Sequence, residues 1–230
     1  MKRLALKACF WLVAAGLLVP STDASIIVID DFEEGTIDLE ASNAVPSVEL
    51  LDQATTSAIG GYRDTAVLLI SPYLSASANS NPIPGVIAFS SGSQSTGQFT
   101  LVYDGDGNVG LGGVDLTDGG VNGFLNIDFT SADLGAEIEI RLQDTGGNGE
   151  YLSQILAGGP GVVSFHLSDF ADAGVDLTSI DLIELNITGQ EDGDYTIDSI
   201  AATVPEPGTI AIWSMLGIGM AFYVRRQYAS

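Results

Sequence analysis

Apolar and polar residues alternate with a period of two along most of this chain, and that alternation dominates the sequence. In AEIEIRL, Ala136, Ile138, Ile140 and Leu142 fall on one side and Glu137, Glu139 and Arg141 on the other. Successive side chains of a strand point to opposite faces, so this is a strand buried on one side. The runs SIIVID, TAVLLIS, GVIAFS, GQFTLVYD, GFLNIDF, GVVSFHL, IDLIELNI and DYTIDSIAA read in the same way. Between them stand DGDGNVGLGG, TDGGVNG and DTGGNG, rich in the residues that tolerate positive φ in tight turns. Many short strands with such punctuation predict an all-β chain, an antiparallel β-sandwich or jelly roll. Only LSDFADAG reads as helix, and SPYLSASANSNPIPG, residues 71–85, reads as a long surface loop or lid.

Both ends break the pattern. Residues 1–24 carry Lys2, Arg3 and Lys7, an apolar run from Ala8 to Val19, and small residues Thr22 and Ala24 before a predicted cut at Ser25. That is the organisation of a secretory signal peptide with its helix. At the other end, residues 205–230 hold an uncharged stretch, Thr209 to Val224, followed by Arg225 and Arg226. Sixteen residues make about 24 Å of helix at ~1.5 Å per residue, near the thickness of a hydrocarbon core of ~30 Å. Trp213 and Tyr223 suit its interfaces, and the arginine pair holds the C-terminus on the cytoplasmic side. A transmembrane helix over 209–224 is therefore expected, with residues 25–204 as one domain between the two ends.

Charge narrows what that domain meets. Residues 25–204 retain only Arg63 and Arg141 against 28 of the 30 acids, a formal charge of −26. Such a surface repels a phosphate backbone, which excludes nucleic acid as a partner. Self-repulsion on this scale is relieved by divalent cations, calcium first, or simply tolerated as a well-solvated surface. The only cysteine, Cys9, lies in the signal sequence, so the mature chain has no disulfide and no thiol chemistry.

VPEPGT, the apolar stretch and Arg225-Arg226 together resemble the PEP-CTERM sorting signal of exported Gram-negative bacterial proteins, and the N-terminal signal peptide fits that pairing. The resemblance implies an exosortase-type enzyme acting at Pro205, Glu206 and Pro207, transient anchoring in the inner membrane, and a final place at the cell surface or in an extracellular matrix with exopolysaccharide. Within the domain, IDDFEEG and YTIDSIAAT resemble the first and last strands of jelly-roll carbohydrate-binding domains with a galactose-binding-like fold. That resemblance implies a structural Ca2+ site at Glu33 and Asp198.

Other candidate chemistry stays open. Asp104, Asp106 and Asn108 alternate like the first ligands of a calcium loop, but Val109 and Asp115 depart from that pattern, and a hairpin turn explains the same glycines. His166, the only histidine, alternates with Ser164 away from Val163, Phe165 and Leu167, as a solvent-facing strand residue does, and no G-x-S-x-G elbow accompanies it. The expected function is that of a structural or adhesive surface protein, with a calcium-supported glycan-binding module as the first alternative and a carboxylate-based glycan-cleaving enzyme as the second.

Overall fold

The computed structural model describes residues 26–71, 75–79 and 85–204. The expected signal helix, the sorting motif and the helix over 209–224 lie outside the described residues. Among the described residues no helix is long and apolar enough to cross a membrane.

Among the described residues thirteen strands form two antiparallel sheets. In chain order they are β1 (Ile27–Asp30), β2 (Asp38–Ser42), β3 (Ser47–Ala54), β4 (Tyr62–Leu69), β5 (Ser75–Asn79), β6 (Ile87–Ser91), β7 (Gly97–Tyr103), β8 (Phe124–Ala132), β9 (Ala136–Asp144), β10 (Gly149–Leu156), β11 (Gly161–His166), β12 (Ile180–Gly189) and β13 (Asp194–Thr203). One six-residue helix, α1 (Leu167–Asp172), follows β11 where the sequence predicts it. The first sheet runs β11-β8-β13-β6-β5-β2, with β1 also pairing β13; the second runs β10-β9-β12-β7-β4-β3. The expected all-β sandwich is therefore present.

Its core follows from the alternation. Ile138, Ile140 and Leu142 of β9 are wholly buried, as are Ile183, Leu185 and Ile187 of β12, and they face Leu125, Ile127, Phe165 and Ile200 of the other sheet's strands within one continuous cluster. An aromatic stack adds to it: Phe89 lies 5.6 Å from Phe99 and 5.9 Å from Tyr195, centroid to centroid. Phe89 and Tyr195 belong to one sheet and Phe99 to the other, so the stack couples the layers. Gly189 makes room for it, since a Cβ there would stand 2.8 Å from the Tyr195 ring.

Two expectations are corrected. Residues 75–79, read as part of a loop, form β5, held by β2 on one side and β6 on the other. SASAN has little strand propensity of its own, and pairing along both edges supplies what the residues lack. The glycine-rich stretch after Tyr103 is not a hairpin either. It carries the chain from β7 in one sheet to β8 in the other, closing on itself through a short 3-10 turn at Asp106–Asn108.

One carboxylate fixes a true hairpin. Asp144 ends β9, and its oxygens accept from the Asn148 N–H and the Asn148 amide, both at 2.9 Å, and from the Asp176 N–H at 3.0 Å. These donors, the Asp176 N–H foremost, lower its pKa from 3.8 to about 2. A depressed folded value gives a contribution that is present above the ordinary carboxylate pKa and lost as pH falls through about 2. Asp144→Asn should accordingly flatten the stability-pH curve between roughly pH 4 and pH 2, measured by urea denaturation at each pH. A variant curve parallel to the wild type there would refute the role.

Candidate functional site

The domain's two cations have opposite fates. Arg63, on β4, points between the sheets, and its Nη1 donates to Asp30 Oδ2 at 2.7 Å with both side chains fully buried. Tyr103 Oη donates to the same oxygen at 3.0 Å, and the Phe32 N–H to Oδ1 at 2.9 Å. Arg63 Nη2 donates to Gln53 Oε1 at 2.9 Å and to the Glu34 and Gly35 carbonyls at 3.3 Å. The Phe32 ring lies 5.4 Å from the guanidinium carbon. Asp30 comes from β1 in one sheet, whereas Arg63 and Tyr103 come from the other, so the pair bolts the layers together and pins the turn after β1. Burial pushes the Asp30 carboxyl up, against the guanidinium beside it and its hydrogen bonds. This is architecture: its groups face one another and not solvent.

Arg141 is the cation that reaches water. Strand register places Tyr151 of β10 opposite Arg141 of β9, and Arg141 opposite Glu184 of β12. One row along, Glu139 lies opposite Asn186 of β12, which lies opposite Thr100 of β7. These positions alternate with the buried ones, so all sit on the outer face of the six-stranded sheet. They are joined side to side. The Thr100 hydroxyl donates to Asn186 Oδ1 at 2.6 Å, and Asn186 Nδ2 donates to Glu184 Oε1 at 2.8 Å. Glu184 Oε2 lies 3.6 Å from Arg141 Nη1, and Arg141 Nη2 donates to Gln143 Oε1 at 2.6 Å. The guanidinium carbon stands 5.2 Å from the centroid of the half-exposed Tyr151 ring.

The result is a stripe across four strands that ends in an aromatic ring, with amide, hydroxyl and carboxylate groups held in place on rigid elements. Tyr151, Arg141, Glu184 and Thr100 reach solvent at least in part, whereas Asn186 is buried between them with its amide engaged by Thr100, Glu184 and Glu139. Chemically the stripe suits a ligand that offers many hydroxyls and an apolar face.

The carboxylates expected at a metal sit on three different segments of the chain. Glu33 is exposed in the turn after β1, with its carboxylate close to Gly85. Asp198 is exposed at a bulge of β13, between Ile197 and Ser199. Asp106 is exposed, whereas Asp104 is largely buried, its carboxyl pushed up by burial and by Asp64, Asp52 and Asp181 nearby. Those neighbours are committed to the chain. Asp64 Oδ1 accepts from the Asp52 N–H at 2.5 Å, Asp52 Oδ1 from the Gly107 N–H at 2.7 Å, and Asp181 Oδ1 from the Gly112 N–H at 3.0 Å. Among the described residues no three His, Cys, Asp or Glu side chains are gathered as an ion's ligands are. His166 is exposed at the end of β11, with its ring 4.4 Å from that of Phe124.

Asp181 also explains a glycine. Gly110 has φ +89°, and a Cβ on it would overlap the Asp181 carboxylate. Gly110→Ala should lower stability by about 1–3 kcal/mol, since both the left-handed backbone and the contact resist a side chain. Thermal melting measures it, and an unchanged midpoint would show that the loop is free to move away.

Together the fold and the stripe define a two-sheet β-sandwich with a preformed polar surface on one outer face. No known family profile and no curated protein matches the chain. Solved structures that are similar to it include a family 11 carbohydrate-binding module from Clostridium thermocellum in complex with a beta-1,3-1,4-mixed-linked tetrasaccharide, at 13% identity, covering 80% of this chain and 98% of that one, TM-score 0.39. A family 29 module complexed with mannohexaose matches at 12% identity over 79% of this chain and 93% of that one, TM-score 0.37. An exo-beta-agarase matches at 14% identity over 79% of this chain and 25% of its own length, TM-score 0.43. Overlap at this level is loose.

Proposed function

We propose that this is an exported, exosortase-sorted protein of the cell surface or extracellular matrix, with a structural or adhesive role, that contacts polysaccharide through the stripe running from Tyr151 to Thr100. The observation that carries the contact is the chain of side chains Tyr151, Arg141, Glu184, Asn186 and Thr100, fixed to one another across four strands, with all but the buried Asn186 reaching solvent. Pre-positioned groups lose little conformational freedom on binding, which favours weak, repeated contacts along a polymer. Sorting rests on Pro205-Glu206-Pro207, the apolar residues after it, and Arg225-Arg226.

Binding of residues 25–204 to matrix polysaccharide purified from the producing cells tests the contact. Tyr151→Ala and Glu184→Gln should each weaken it about tenfold or more, as loss of an anchoring group at roughly 1.4 kcal/mol per decade implies. Wild-type and variant affinities that agree within twofold would remove the stripe from the interface. Sorting is tested separately by the mass of the exported protein, which should lack Tyr228 to Ser230. An intact C-terminus in cells with a working exosortase would overturn it.

A further inference from the structure

The two ends of the domain leave it side by side. β1 pairs antiparallel with β13 so that Ile27 faces Ala202, and β13 ends at Thr203, opposite Phe124 at the start of β8. Val204 is the last described residue, and only Pro205 to Gly208 separate it from the uncharged stretch that opens at Thr209. Five peptide steps span at most about 18 Å at ~3.6 Å each. The headgroup layer takes up roughly 5–8 Å of that reach. With the tail in a bilayer, Val204 therefore stands within about 10–13 Å of the headgroup surface.

What the β1 edge presents at this pole is apolar. Ile26 is 64% exposed and Val28 46%, both on β1 or just before it, and Phe124 and Ala201 lie half-buried beside them on the neighbouring strands. No acid falls within these positions, in a domain that is otherwise crowded with acids; Asp115 and Asp118, in the loop that leads into β8, and Asp169 and Asp172, on α1 after β11, lie on the β8 and β11 side of β13, away from β1. The opposite pole, where Tyr195 faces Ala132, lies eight residues away along β13, about 26 Å at ~3.3 Å per residue.

We propose that the pole where β1 begins and β13 ends is a membrane-contact surface, Ile26 and Val28 resting on the lipid headgroups for as long as the C-terminal tail remains in the bilayer. The inference rests on the reading of residues 209–224 as a membrane span, and the test separates the two. Apolar side chains at the end of a short tether meet the interface at high effective concentration, so two of them suffice where a free domain would need more. Asp169 and Asp172 are repelled by anionic headgroups, which tilts the domain onto its β1 edge.

Two features of the composition make the experiment direct. Cys9 is the only cysteine and Trp11 the only tryptophan besides Trp213, and both precede Ser25. An introduced cysteine in the exported chain is thus labelled uniquely, and Trp213 reports on the tail alone. The tail-bearing chain, taken from cells without a working sorting enzyme, is placed in phosphatidylethanolamine vesicles with a minority of phosphatidylglycerol. Brominated acyl chains should quench Trp213. Headgroup nitroxides should quench a fluorophore at Val28→Cys or Ile26→Cys several-fold more than one at Leu134→Cys, on the far pole. Quenching at Leu134→Cys equal to that at Val28→Cys, with Trp213 quenched, overturns the proposed orientation. An unquenched Trp213 overturns the membrane-span reading itself. Contact is distinguished from mere tethering by a reporter at His166→Cys, whose quenching should fall at least twofold when Ile26→Asp and Val28→Asp are added. Unchanged quenching there, with the same melting temperature, overturns the contact.

Discussion

Arg63→Met should destabilise the domain by about 3–5 kcal/mol at neutral pH, the cost of leaving a buried carboxylate without its counter-charge. Asp30 is fully buried and its other partners, the Tyr103 hydroxyl and the Phe32 N–H, carry no charge. At roughly 2–4 °C per kcal/mol for a domain of this size, the melting point should fall by about 10 °C or more. Asp30→Asn in the Arg63→Met background should recover much of the loss, because a neutral amide tolerates burial better than an orphaned anion. The pH dependence has a definite sign. Burial raises the folded pKa of Asp30, so its contribution is full below the ordinary carboxylate pKa and declines as pH rises through the folded value. The orphaned carboxylate of Arg63→Met takes up a proton more readily still, and the gap between variant and wild type should narrow toward pH 4. Urea denaturation at pH 7 and at pH 4 gives both numbers. A loss under about 1 kcal/mol at pH 7 would mean that the ion pair contributes no more than an exposed one.

Tyr195→Ala should cost about as much by a different mechanism. The ring is 1% exposed and stacked on Phe89, and removing it leaves a cavity beside Gly189 and Gly193, where the ring leaves no room for a Cβ. Aromatic-to-alanine changes in cores cost roughly 3–5 kcal/mol. Tyr195→Phe isolates the polar part. The hydroxyl donates to the Gly135 carbonyl at 2.7 Å and accepts from the Gln190 N–H at 3.0 Å, so its loss alone should cost about 1–2 kcal/mol. Equal effects of the two substitutions would place the whole contribution in the hydrogen bonds. A Tyr195→Phe variant as stable as the wild type would place it in the ring.

The parts of the fold that could be read from the chain are those in which one face of a strand is buried. β4, β7 and β9 alternate without interruption because the core accepts every second residue. β3 and β10 are edge strands that keep most of their residues exposed on both faces, and their sequences, SVELLDQA and GEYLSQIL, carry little alternation to read. β5 escaped for want of propensity, and the crossover after Tyr103 was mistaken for a hairpin because turn residues show where a chain bends and not which sheet it bends toward. The same limit hid the sites. Arg63 and Arg141 stood out as the only cations of residues 25–204, but Asp30 lies 33 residues from Arg63, and local pattern carries no information on a pairing that the sandwich makes. Tyr151 belongs to an unread strand, so its place at the end of the stripe could not be read until β10 was placed beside β9.

The position of β13 has a bearing on how the molecule comes into being. This strand is the last among the described residues, yet it lies inside its sheet, between β8 on one side and β6 and β1 on the other. A chain emerging from its N-terminus holds β1 with no strand partner and the β2-β5-β6 and β8-β11 groups as separate pieces until residue 203 is free. Every contact that β1 makes with its sheet therefore spans nearly the whole domain and forms last. The unfinished sheet meanwhile keeps open edges that invite wrong pairing. Completion of the fold is thereby tied to delivery of its final ten residues, and an unfinished or truncated chain is left as an open-edged intermediate instead of a smaller native domain.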